Sequence, residues 1–222
     1  MEVENSLESI EQTPKLDIVF SVDKEIERIS STIERLPWYR EQGYSSFHTT
    51  LPKRLSELSG VEEITDAVSE EFSDEKYNDI SNYIKEEWEI VSKELERLRE
   101  VPGFRLFDEY TLILTRYGSG GSYNSSSGEI TVNIESRSKE KIVGTLVHEI
   151  VHIAIQHLID KYKVKHWYKE RLVDLLVDRL FPDLKGMQKI NEDTKIVDET
   201  FDKHFPDLEK ITMTIKDNGN MN

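Results

Sequence analysis

Three residues of this chain combine types and a spacing that suit metal chemistry: His148, Glu149 and His152, in the segment TLVHEIVHIAIQHLI. On a helix, residues four apart lie about 40° apart on one face, so the two imidazoles can bind a single ion. Glu149 points about 100° away from His148, where its carboxylate can lie beside a water on the ion. A metal ion lowers the pKa of such a water towards about 7, and the carboxylate can accept its proton as the oxygen attacks a carbonyl carbon. The spacing therefore predicts metal-assisted hydrolysis with Glu149 as general base.

The segment around these residues is apolar almost all round, so its helix is expected to be buried. Burying two histidines and a glutamate without partners is costly, which favours a ligand for them. The competing interpretation is a pair of hydrogen-bonded histidines in an ordinary core. Because the chain has no cysteine, any metal site must be built from His, Asp and Glu.

A second predicted helix, from about Trp167 to Phe181, carries two acidic residues on its apolar side. Glu170 and Asp174 share an arc of the helical wheel with Val177 and Phe181, which a merely solvated acidic face would not show. Glu170 is therefore predicted to be a third metal ligand, with a buried structural carboxylate as the alternative. Two charged residues flank this arc and are predicted to form an ordinary surface ion pair: Arg171 and Asp178.

Other histidines are less suited to complete the site. His157 is predicted to lie on the opposite side of the helix from His148, whereas His166, in the link between the two helices, stays a minor candidate. The metzincin pattern is excluded, because Ile155 and Leu158 stand where it requires a glycine and a third histidine.

HExxH followed by a helix bearing ExxxD resembles the gluzincin branch of the zincin metallopeptidases, the group of thermolysin and the minigluzincins, over about 30–35 residues. The resemblance implies that His148, His152 and Glu170 bind Zn²⁺ and that Glu149 is the general base. It also implies that Asp174 supports His148 from behind. These expectations describe a zinc-dependent hydrolase of peptide bonds that acts on a peptide or protein.

The resemblance further implies that the strand before the active-site helices pairs with extended substrate, and EITVNIE (129–135) is the candidate. It leaves the residue that stabilises the oxyanion open. The possible positions are Tyr162, Tyr168, His166 and His204.

Hydrophobic periodicity predicts the elements that must position these residues. The predicted helices span 23–36, 73–101, 138–161 and 167–181, and the predicted strands span 16–22, 111–118, 129–135 and 210–216. Pro, Gly and Ser are expected to break the pattern around 37–60. Strands 111–118 and 129–135 should pair as a hairpin. Their Gly- and Ser-rich connection, 119–128, is predicted to be mobile, either as a plain surface loop or as a rim over substrate.

The expected fold is α+β and zincin-like, with a small, mostly antiparallel sheet packed on a long backing helix and on the HExxH helix. Residues 1–14 are predicted to be a disordered acidic leader and 15–222 a single domain. Within it, 15–103 is a helical portion, 104–182 the catalytic portion and 183–222 a C-terminal extension. That extension is predicted either to cap the core or, as a hypothesis, to lie across the cleft and restrain activity.

The net charge of −15 disfavours nucleic acid and anionic membrane surfaces as partners. An acidic start without an apolar stretch, together with the absence of cysteine, predicts a cytoplasmic location. The rival function is a non-catalytic, zinc-stabilised module for protein interaction. An open coordination position would separate the two, because a structural site fills it. Substrate sequence and oligomeric state stay open.

Overall fold

The computed structural model describes residues 13–41, 51–135, 137–184, 190 and 192–218. In these residues the chain forms an α+β fold with one four-stranded sheet, which confirms the predicted class. The strands are β1 (Lys15–Val19), β2 (Glu109–Thr115), β3 (Gly121–Asn124) and β4 (Glu129–Asn133). The helices are α1 (Val22–Glu41), α2 (Val61–Glu71), α3 (Asp74–Arg97), α4 (Lys139–Tyr162), α5 (His166–Leu180), α6 (Lys195–His204) and α7 (Leu208–Asn218).

The sheet has the strand order β1-β2-β4-β3, in which β1, β2 and β4 run parallel and only β3 is antiparallel. The predictions of a mostly antiparallel sheet and of a hairpin between 111–118 and 129–135 are therefore wrong. The reason lies in the connection between those segments, which contributes a strand of its own. Because β3 turns back at 125–128 to pair with β4, β4 reaches β2 running in the same direction. The segment predicted to be a mobile loop thus contains an edge strand.

Helix α4 is the centre of the molecule and packs against β3, β4, α3, α5 and α7. Its apolar residues are buried on every side, as the sequence predicted, and the imidazoles of His148 and His152 are buried with them. Among the described helices it is the one long and apolar enough to cross a membrane. However, 78% of the 18-residue stretch that meets this criterion is buried inside the protein. A core helix of this composition meets the same criterion.

The C-terminal segment is helical, so the predicted strand at 210–216 is wrong. Ile211 and Ile215 lie one turn apart on a helix, and both are fully buried together with Leu208, while Met213 between them is 45% exposed. Two apolar residues four apart fit one face of a helix as well as they fit one face of a strand. Helix α7 packs on α4, and α6 packs on α5.

The N-terminal region departs from prediction at two points. Residues 1–12 of the predicted leader lie outside the described residues, but Pro14 is buried and its carbonyl accepts a hydrogen bond from Trp88 Nε1 at 3.0 Å. Helix α1 continues through Pro37 to Glu41, beyond the predicted break. Tertiary contacts hold this last turn, because Trp38 packs edge-on against the ring of His166.

Candidate metal centre

Helices α4 and α5 bring three predicted ligand atoms together. His148 Nε2 and His152 Nε2 are 3.0 Å apart. Glu170 Oε2 lies 3.2 Å from the His152 nitrogen and 3.7 Å from that of His148. All three residues are buried and form the candidate metal-binding group among the described residues.

The triangle has the size that an ion requires. Ligands at about 2.0–2.1 Å from a tetrahedral metal are about 3.3 Å from one another, close to the three observed separations. Burial lowers the pKa of His152 to about 3, so its ring is neutral and can donate a lone pair at neutral pH. Burial alone would raise the pKa of Glu170, but the two imidazoles and Lys169 hold it below its usual range. The donors are therefore suited to a divalent cation, which these residues could hold.

Glu149 lies next to this group without belonging to it. Burial raises the pKa of its carboxyl to about 7. The carboxylate faces the backbone of β3, where a Cβ added to Gly121 would collide with Glu149 Oε1. A carboxyl with a pKa near neutrality can both accept and return a proton.

Asp174 lies behind His148, on the side away from the other two ligands. Its Oδ1 is 3.5 Å from His148 Nδ1, and its side chain is 1% exposed. Burial alone would lower the pKa of His148, but Glu170, Glu149 and Asp174 together raise it. A carboxylate at this place favours the tautomer with its proton on Nδ1, which leaves Nε2 free to bind.

Two residues of the site were not found from the sequence, Tyr123 and Lys169. The Tyr123 ring stacks on the His152 ring, with centroids 5.0 Å apart and planes 11° from parallel. Lys169 Nζ lies 3.1 Å from Glu170 Oε1 and donates to Tyr123 Oη at 3.3 Å. Burial alone would lower the pKa of Lys169, but Glu170 and Tyr123 raise it. The sequence offered two signals that could have found them. Lys169 stands directly beside Glu170, and Tyr123 is an aromatic residue inside a Gly- and Ser-rich segment.

The glycines before and in β3 lie close to two charged side chains. A Cβ at Gly121 would collide with Glu149, and a Cβ at Gly120 would collide with the guanidinium of Arg137. Arg28 of α1 holds the same segment from its other side, donating to Ser119 Oγ and Ser122 Oγ, each at 2.9 Å. The segment is thus packed between charged side chains.

The edge strand next to the site is β3, which corrects the choice of EITVNIE as the strand that pairs with substrate. Strand β4, which that segment forms, is bonded on both sides, to β2 and to β3. Strand β3 ends the sheet, and no strand in the described part of the chain pairs with its outer edge. Of the two strands β3 and β4, it is therefore β3 that has backbone groups free to extend the sheet next to the site.

Of the four positions considered for the oxyanion, His166 lies close to a ligand, with Nδ1 3.7 Å from Glu170 Oε1. Tyr162 instead donates to Glu209 of α7 at 2.7 Å, and the ring of Tyr168 lies under Lys165. His204 is at the end of α6.

Two surface predictions can also be compared with the structure. Arg171 forms an ion pair with Asp198 of α6, a partner other than the predicted Asp178. The helical wheel could not include a partner from another element. His157 does not belong to the group of His148, His152 and Glu170.

In comparisons with models of protein families, with curated proteins and with solved structures, nothing matches this chain. Its function must therefore be argued from the geometry of the site.

Proposed function

We propose that this chain is a zinc-dependent metallopeptidase of the gluzincin type with a zincin-like fold. The observation that carries the proposal is the group of His148, His152 and Glu170 with a fourth buried residue, Glu149, beside it. A structural zinc site fills all four positions with protein ligands, whereas a catalytic site keeps three and leaves one for a reactant. Within the described residues the group has three members, which favours catalysis over the zinc-stabilised interaction module.

A bound zinc ion would supply a Lewis acid that polarises a carbonyl group and makes water nucleophilic near neutral pH. The chain's own residues do the rest. Glu149 takes the proton from the attacking water and can pass it to the leaving amine. Asp174 holds the imidazole of His148, and Tyr123 holds that of His152 by stacking.

The outer edge of β3 supports a peptide as the substrate. Strand β3 begins beside Glu149, at Gly121, and passes His152, at Tyr123. An extended peptide that adds to it as a strand would bring its backbone carbonyls to the ligand group. The expectations of a cytoplasmic location, and of neither nucleic acid nor membrane as a partner, belong to the same proposal.

The test is Glu149→Gln in the full chain. We expect the variant to keep its fold and about one zinc ion while losing cleavage of a broad peptide library, because an amide cannot accept the proton. Glu140→Gln, the same change at an exposed position of α4, is the matched control and should cleave like the wild type. A wild-type protein that carries zinc but cleaves nothing would instead favour the interaction module.

A further inference from the structure

Glu170 uses its two oxygens differently. Oε2 faces the imidazoles, at 3.2 Å from His152 and 3.7 Å from His148. Oε1 faces Lys169, whose Nζ is 3.1 Å away. His166 Nδ1, at 3.7 Å from the same oxygen, is too far for a hydrogen bond. One oxygen of the carboxylate thus faces the two imidazoles, and the other faces the ammonium group of Lys169.

The ammonium ion is itself held in place. The Lys169 side chain is only 15% exposed, and its Nζ also donates to Tyr123 Oη at 3.3 Å. Tyr123 Oη donates in turn to Gln156 Oε1 of α4 at 2.7 Å. Lys169 therefore joins α5 to β3 and, through Tyr123, to the helix that bears both histidines.

A carboxylate that is free at both oxygens can bind a metal ion through one or both of them. Binding through both would occupy the position that a catalytic zinc leaves for a reactant. A strong charge-assisted hydrogen bond to one oxygen opposes this, because that oxygen would have to give up the ammonium ion.

We propose that Lys169 is a positioning residue that keeps Oε1 of Glu170 away from the ion, so that the carboxylate offers a single oxygen. This inference rests on the proposed function for its catalytic consequence. Its structural consequence, one-oxygen ligation by Glu170, can be measured without any turnover.

The test compares Lys169→Met with Lys165→Met in the full chain. Lys165 is an exposed lysine just before α5, so its substitution removes the same charge without reaching Glu170. Both proteins are loaded with Co²⁺, whose visible absorption weakens when a fifth ligand is gained. We expect Lys169→Met to bind about one ion with weakened absorption, and Lys165→Met to match the wild type. With zinc, kcat of Lys169→Met should fall about 10–100-fold while KM changes little.

If the cobalt spectrum of Lys169→Met matches that of the wild type, the proposal is overturned. This holds even if metal affinity or thermal stability falls, because such losses alone would indicate a merely structural role for Lys169. If Lys169→Met does not fold, Tyr123→Phe decides, because it removes one hydrogen bond that holds Lys169 but keeps the ring on His152. We expect a smaller weakening of the same absorption, and an unchanged spectrum would overturn the idea. Failure of wild-type peptide cleavage would remove the proposed function alone, since the cobalt spectra do not depend on it.

Discussion

Glu149 and Glu170 are both buried acidic residues, yet their surroundings suit them to different tasks. Burial dominates at Glu149 and raises its pKa to about 7. At Glu170 the effect of burial is more than offset by His152, His148 and Lys169, and its pKa is held low. The first carboxyl is suited to exchanging a proton, and the second to staying an anionic ligand.

The two carboxylates of α5 should respond differently to removal. Glu170→Ala is expected to abolish tight zinc binding, because it removes one of three ligand atoms. Asp174→Ala should weaken binding or activity by roughly 10–100-fold and leave zinc in place at saturating concentration, because it only loosens His148. Competition with a chelator measures both affinities. Tight zinc binding by Glu170→Ala would contradict the ligand assignment.

At the scale of elements, the site depends on how closely β3 approaches α4. The backbone at Gly121 lies where a side chain would meet Glu149 Oε1, and Thr145 Cγ2 would be 2.8 Å from the added carbon. A Cβ here would therefore force the Glu149 carboxylate and the Thr145 methyl group to move.

Gly121→Ala should displace the Glu149 carboxylate and reduce peptide cleavage by about 10²-fold, since misplacement of a catalytic group by about 1 Å has that effect. Gly144→Ala, within α4, is the matched control. Among the described residues its Cβ would meet only Leu184 O, at 3.7 Å, and the change should stabilise the helix by up to about 1 kcal/mol. Steady-state kinetics and thermal unfolding measure both effects. Full activity in Gly121→Ala would show that catalysis does not depend on the close approach of β3 to α4.

Helix α7 should behave as part of the core. Ile211→Ala is expected to cost about 2–5 kcal/mol of unfolding free energy because its side chain is fully buried. Met213→Ala, at a position 45% exposed, should stay within about 0.5 kcal/mol. Truncation before Lys210 should abolish cooperative unfolding in denaturant. A truncated chain that folds and cleaves peptides faster would restore the hypothesis of a restraining C-terminal segment.

At the scale of the whole molecule, Glu25 of α1 joins elements that contribute no ligand to the metal centre. Its Oε1 accepts hydrogen bonds from the hydroxyl of Tyr77, on α3, and from the backbone N–H of Arg116, just after β2 at 2.7 Å. Burial raises the pKa of Glu25 to about 6 from 4.5. The fold therefore favours the protonated carboxyl.

This raised pKa predicts a pH dependence of stability. The folded state binds the Glu25 proton more tightly than the unfolded state does. The stability that this contributes is fully present below pH 4.5, the unfolded pKa, and is lost as the pH rises through about 6, the folded pKa. Over this range the unfolding free energy of the wild type should thus fall by about 2 kcal/mol relative to that of Glu25→Gln. Urea unfolding of both proteins from pH 4.5 to 7.5 measures it. A difference that does not vary with pH would contradict the prediction.

The sequence by itself determined the elements with strong local patterns and the residues they carry. Helices α4 and α5 end within about one residue of their predicted limits. The i, i+4 spacing of His148 and His152 brings them together through helix geometry alone. The apolar arc of α5 indicated that Glu170 and Asp174 are buried.

Only the tertiary structure decided which strand is the edge, which way the strands run and what surrounds each ligand. Strand direction depends on the path of the chain through 116–128, which periodicity does not encode. Ile211 and Ile215 fit a strand or a helix equally, and packing against α4 selected the helix. Tyr123 and Lys169 reach the site from separate elements, so their role follows from distances between segments rather than from any local pattern.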